Sequence, residues 1–160
     1  MLFRSMIRQS LLERCGDDLP AYLDYKIHAG KDSLYNTPPV FAIYMMKLTL
    51  DWVKEIGGLA ETERRAIARS SALYEAIDSS DGWFRSPVDE ASRSRMNVVW
   101  RLPSEELEKK MIAEATEAGF SGLKGHRSVG GLRASMYNAM PVEGAEKLAQ
   151  FMLDFKKANA

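Results

Sequence analysis

Apolar positions crowd the stretch from Val40 to Ile56. Val40, Phe41, Tyr44, Met45, Leu48, Trp52, Val53 and Ile56 leave one narrow polar stripe of Lys47, Asp51, Lys54 and Glu55. That spacing predicts a helix, and so wide an apolar surface predicts one buried on several sides. Thr37 is suited to cap its start, Pro38 to its first position, and Gly57-Gly58 to its end. Asn36 and Thr37 then have two readings. They cap the helix, or they add donors to the free N–H groups of a helix start and so form an anion site. On the residues alone, capping explains both.

Before this helix the pattern is weaker. Met6-Ile7 and Leu11-Leu12 are isolated apolar pairs, and Pro20 to Gly30 reads as a short strand ending at Gly30, with His28 a satisfied structural residue. After it, Leu59 to Ile77 predicts a second helix with Ile67, Ser70, Tyr74 and Ile77 inward and Glu61, Arg64, Arg65 and Arg69 outward. Trp83-Phe84-Arg85 reads as a short strand stopped by Pro87. In Ser94 to Leu102, Met96, Val98 and Trp100 alternate with Asn97, Val99 and Arg101, as a strand requires. Pro103-Ser104-Glu105-Glu106 starts a third helix with Leu107, Met111, Ile112 and Ala115 inward, ended by Gly119; Phe120 to Leu123 reads as a strand edge. In Leu132 to Tyr137, Arg133, Ser135 and Tyr137 share one face and Leu132, Ala134 and Met136 the other. A last helix follows from Met140-Pro141-Val142-Glu143, its apolar side Leu148, Phe151, Met152 and Phe155. The order from residue 59 predicts an α+β layer, with helices packed on one face of a small sheet.

Composition narrows the function. Lys+Arg and Asp+Glu are both 22, so no global field attracts nucleic acid or an acidic membrane, and no apolar run reaches the length of a membrane span. Any anion binding must be local. The single Cys15 cannot form an internal disulfide. The two histidines sit in no nucleophilic triad and no metal-ligand cluster.

One stretch offers such local chemistry: Gly125-His126-Arg127-Ser128-Val129-Gly130-Gly131-Leu132-Arg133-Ala134-Ser135. Arginine presents a planar, permanently charged fork matched to carboxylate or phosphate. Two arginines separated by a glycine turn suggest a grip on a small molecule with two anionic ends. Each keeps an ordinary alternative: Arg133 in an internal salt bridge, His126-Arg127 as a surface pair. Lys124 is a weak candidate nucleophile, because flanking glycines give it mobility rather than the desolvated fixing such a lysine needs.

Three blocks carry a resemblance. Tyr35-Asn36-Thr37-Pro38-Pro39-Val40-Phe41-Ala42-Ile43-Tyr44, Ser94-Arg95-Met96-Asn97-Val98, and the stretch from Gly125 through Arg133 to Met140-Pro141 together resemble the phosphoserine aminotransferases, from Ile7 to the C-terminus. The resemblance implies a fold-type I, class V enzyme dependent on pyridoxal 5'-phosphate, cytoplasmic and homodimeric, interconverting 3-phosphohydroxypyruvate plus glutamate with phosphoserine plus 2-oxoglutarate. It implies that Arg133 binds the substrate α-carboxylate, and that His126 and Arg127, from the neighbouring subunit, hold the phosphate or the distal carboxylate of glutamate. It also implies that Asn36 and Thr37 reach the cofactor phosphate. The family's cofactor-bonding lysine, ring-stacking aromatic and pyridine-pairing aspartate have no counterpart here, so no catalytic residue is assigned and the isolated chain is expected to be inactive. Residues 1–58 are then the end of the large cofactor domain with its long connecting helix, and 59–160 the small domain. The alternative is a free-standing, non-catalytic remnant that binds small dianions or docks on a full-length subunit. A relative of alanine–glyoxylate type is disfavoured, because a substrate without a distal anion has no use for His126-Arg127.

Overall fold

The computed structural model describes residues 7–160, so Met6 of the first apolar pair lies outside the described residues. The chain divides into two units, Met1–Trp52 and Val53–Ala160, with the boundary inside a helix.

The first unit holds α1 (Gln9–Leu12), α2 (Tyr25–Ala29) and most of α3 (Val40–Glu55). The strand expected from Pro20 to Gly30 is instead the short helix α2. Asp24 caps it by accepting the Lys26 backbone N–H at 2.8 Å, and this local bond outweighs the β preference of Tyr25 and Ile27. His28 is buried, with Nε2 3.0 Å from the Tyr22 carbonyl and its ring edge-on to Tyr22 and Tyr35, a satisfied structural residue as expected.

Helix α3 begins at Val40, two residues later than the sequence pattern predicts. Pro38 precedes another proline, which disfavours helical backbone at Pro38 itself. The position before the helix falls to Pro39, whose carbonyl accepts from Ile43 at 3.1 Å, so Thr37 is too far upstream to cap. The apolar surface expected to be buried is not covered: no α3 residue is buried, and Phe41 is 76% exposed.

The second unit holds α4 (Gly58–Asp78), a 3-10 turn at Glu90–Ser92, β1 (Asn97–Trp100), α5 (Glu105–Glu117), β2 (Leu132–Ser135) and α6 (Val142–Asn159). Helix α4 packs on α6 and on β1, and Leu73, Phe84, Val98, Trp100, Met111, Leu132 and Met152 form the centre of the core. Ser104 caps α5, accepting from Leu107 at 3.3 Å. The expected flanking strands shrink to single bridges, Arg85 to Arg101 and Lys124 to Leu132, around the two-stranded antiparallel sheet.

The inner face of α4 holds Ser70 and Ile77 as expected, but it is wider than the expected one. Ile67 is 41% exposed, while Ala66, Arg69, Leu73 and Ala76 are buried. Arg69, expected outside, is fully enclosed; its Nη1 donates to the Met140 carbonyl at 2.9 Å, while Nε and Nη2 have no partner among the described residues. Near the start of α4, Glu61 accepts a bidentate pair from Arg64 at 2.7 and 2.8 Å and a bond from Arg65 at 2.7 Å.

Two outcomes are expected. The hydrogen bonds from Arg64 and then Arg65 pull the Glu61 carboxyl from its ordinary 4.5 down to about 2. A depressed carboxyl contributes stability above its unfolded value and loses it as pH falls through the folded one. The thermal midpoint of Glu61→Gln should therefore fall less than wild type between pH 4.5 and about 2; equal falls contradict the assignment. The open apolar surface of α3 should drive self-association that Phe41→Glu reduces, read by sedimentation velocity. A wild-type chain that stays monomeric at high concentration contradicts this.

Candidate anion site

The pairing of the two strands sets the geometry. Asn97 stands opposite Ser135, Val98 opposite Ala134, Val99 opposite Arg133 and Trp100 opposite Leu132. Side chains alternate across a strand, so Val98, Trp100, Leu132 and Ala134 enter the core while Arg133 and Ser135 take the other face. Arg133 is half-buried, yet it makes no ion pair among the described residues, and its Nε is shut off from solvent without a partner. The internal salt bridge that was its alternative is absent among those residues. A shielded, unpaired donor costs on the order of 1–3 kcal/mol, a cost an incoming carboxylate oxygen would remove. On one side of it, Ser135 Oγ donates to Asn97 Oδ1 at 3.0 Å.

On the other side the chain narrows to a neck. The Gly125 N–H donates to the Gly131 carbonyl at 2.9 Å, and a Cβ on Gly125 would stand 2.1 Å from the Gly130 carbonyl oxygen. Gly131 has φ +68°, and a Cβ there would stand 2.5 Å from Arg101 Cδ. Only glycine fits at either position. Above the neck, the His126 carbonyl accepts from Val129 at 2.9 Å and Gly130 at 2.8 Å. Ser128 donates its backbone N–H to His126 Nδ1 at 3.3 Å, with its hydroxyl 2.7 Å from the same atom. Nδ1 is thus an acceptor, which turns Nε2 into the ring's donor, exposed at the tip and without a partner among the described residues. Arg127 beside it is exposed and makes no ion pair among the described residues.

The second unit therefore joins His126, Arg127 and Arg133 through one loop and one strand. Asn36 and Thr37 belong to the first unit. There Asn36 is half-buried with an enclosed Nδ2 that has no partner among the described residues, and Thr37 is exposed. Lys124 is exposed at a bridge position, which does not supply the desolvation a nucleophilic lysine needs.

A family model for class-V aminotransferases matches residues 6–148. The chain belongs to the class-V aminotransferase family. A phosphoserine aminotransferase of Geobacillus kaustophilus is 55% identical over 155 residues, covering 97% of this chain and 43% of the relative. The phosphoserine aminotransferase structure from Bacillus circulans subsp. alkalophilus superposes with a TM-score of 0.87 at 48% identity, over 96% of this chain and 43% of that one. The structure of phosphoserine aminotransferase with bound pyridoxal phosphate from Trichomonas vaginalis superposes at 0.79 and 38% identity, over 91% of this chain and 42% of that one. The chain spans about 43% of the length of the curated relatives it matches. Over that length its fold is that of a fold-type I aminotransferase.

The cofactor of these aminotransferases is pyridoxal phosphate. Asn36 fits its phosphate by the test of an enclosed amide donor lacking an acceptor. Two residues that hold the loop escape the sequence pattern, Arg101 and Glu108. Arg101 Nε donates to Glu108 Oε1 at 2.5 Å, and Nη1 to the Val129 carbonyl at 3.0 Å. Glu108 is buried among the inward residues of α5, and a buried acid within an apolar stripe is the signal that announces such a pair.

Because the neck admits no side chain, Gly125→Ala should destabilise the second unit by about 1–3 kcal/mol through overpacking, read as a lower urea midpoint. A midpoint matching wild type would mean that the neck is open in solution.

Proposed function

We propose that the chain is part of a phosphoserine:2-oxoglutarate aminotransferase of serine biosynthesis, cytoplasmic and homodimeric, converting 3-phosphohydroxypyruvate and glutamate to phosphoserine and 2-oxoglutarate. The observation that carries the reading is the half-buried, unpaired guanidinium of Arg133 beside a loop that exposes His126 and Arg127 without ion-pair partners among the described residues. Family membership and the likeness to phosphoserine aminotransferases support it.

In this reading Arg133 takes the substrate α-carboxylate through its two-pronged donor edge and so orients the reacting carbon. Arg127 and the Nε2–H of His126, from the neighbouring protomer, take the phosphate or the distal carboxylate of glutamate. Phosphoserine and glutamate both carry an anion at each end, so one grip serves both half-reactions. The Asn36 amide and Thr37 hydroxyl donate to the phosphate of pyridoxal phosphate. The cofactor supplies the electron sink for amino transfer. Residues 1–58 then belong to the cofactor domain with its connecting helix, and 59–160 to the small domain. The cofactor-bonding lysine lies outside these residues, so the isolated chain does not turn over.

Calorimetric titration of the chain with phosphoserine and with alanine tests the grip. Arg133→Ala should weaken both ligands, and Arg127→Ala only phosphoserine, each by roughly tenfold to a hundredfold, as expected for a lost charge-assisted bond. Equal losses of both ligands in Arg127→Ala contradict the phosphate assignment.

A further inference from the structure

We infer that Arg101 is a positioning residue, the tether that sets where the His126–Gly130 loop stands and so selects for ligands with a distal anion. The inference deepens the function proposed above and rests on it. Its basis is how this loop is held. Val129 and Gly130 donate to the His126 carbonyl, and Ser128 binds His126 Nδ1, so these bonds close the loop upon itself. Among the described residues, one hydrogen bond ties residues 126–130 to the rest of the fold, from Arg101 Nη1 to the Val129 carbonyl at 3.0 Å. Without it, the tip bearing Arg127 is fixed by nothing beyond its glycine neck.

Arg101 is itself doubly anchored. Its backbone exchanges hydrogen bonds with Arg85 at 2.8 and 3.0 Å, which fixes its Cα at the end of β1. Its Nε meets the buried Glu108 carboxylate, which also lies 3.4 Å from the Leu102 N–H. The position of α5 is thus passed through Glu108 and Arg101 to the loop. The glycines of the neck make room for this: the Arg101 side chain lies 2.5 Å from where a Gly131 Cβ would stand and 3.3 Å from that of Gly130. The fork is what the task needs, because Nε and Nη1 serve two acceptors at once, whereas a lysine ammonium at the end of a flexible stem is not held in that planar geometry.

The register gives the tether its consequence. Arg133 stands opposite Val99, and one step beyond the Trp100–Leu132 pair places Arg101 opposite Gly131 on the same face. The residue that holds the loop and the residue that awaits a carboxylate therefore share one rigid sheet face, two positions apart. Fixing the loop against that face fixes where its tip stands when it is offered to the neighbouring protomer's site, and so where a distal anion must lie to be held.

The test uses the full chain as wild type, Arg101→Lys, Glu108→Gln and Arg127→Ala. Heteronuclear NOE values of the Ser128, Val129 and Gly130 amides report loop order, and calorimetry reports phosphoserine and alanine affinity. Arg101→Lys, which keeps a cation for Glu108, should hold its thermal midpoint near wild type while the loop amides become mobile. Its phosphoserine affinity should fall about tenfold with alanine affinity unchanged, a split that a general loss of structure would not give. Glu108→Gln, which keeps the side-chain length, should loosen the same amides. Loop amides as rigid as wild type in both variants overturn the inference, as do mobile amides with unchanged phosphoserine affinity or equal losses for the two ligands. Failure of the underlying reading looks different: Arg127→Ala would then bind phosphoserine as wild type does, whatever the loop amides show.

Discussion

The register between β1 and β2 is the constraint on which the candidate site depends. With Trp100 opposite Leu132 and Val98 opposite Ala134, four apolar side chains close the core, and Arg133 is placed on the other face by the same alternation. A slip of one residue would drive a guanidinium into the centre of the unit and expose the core residues, a double penalty that forbids it. The neck follows from the same pairing, since Gly125 and Gly131 meet where the strand begins. The packing of the core and the geometry of the candidate site are thus set by one ladder of hydrogen bonds.

Charge is distributed in keeping with this. Lys+Arg and Asp+Glu balance at 22 each, so affinity for an anion comes from which cations are left unpaired rather than from the total. Arg64 and Arg65 are tied to Glu61, Arg93 to Asp78, Arg95 to Glu63 and Arg101 to Glu108. Arg69 is enclosed against a backbone carbonyl. Arg127 and Arg133, like Arg8, Arg14 and Arg85, lack ion pairs among the described residues, but these two fall in the stretch where Gly125 and Gly131 bring backbone closest to backbone.

Much of this was legible in the amino-acid order, and the exceptions have physical reasons. Period-two alternation placed Arg133, Ser135 and Tyr137 on the face away from Leu132 and Met136, because burial on one side leaves no other solution. Arg69 was misread because its type suggests solvent. Its position does not: it lies three residues from Ala66 and four from Leu73, within the buried stripe. Tyr25–Ala29 was misread as extended because the cap from Asp24 is a local bond that propensity does not weigh. The start of α3 moved because the second of two prolines restrains the first. The partnership of Arg101 with Glu108 and Val129 spans seven and twenty-eight positions, and no short spacing rule reveals it.

Under the proposed function, the uncovered side of α3 and the donors on Asn36 and Arg133 that lack partners among the described residues are surface and polarity that groups from outside this chain would meet. The central claim is that Arg133 and the His126-Arg127 tip receive the opposite ends of one doubly anionic ligand. A crystal structure of the chain with phosphoserine tests it most directly. The account predicts the ligand carboxylate on the Arg133 guanidinium and its phosphate on Arg127 and His126 Nε2. A ligand bound elsewhere, with Arg133 paired to a carboxylate of its own chain, would contradict it.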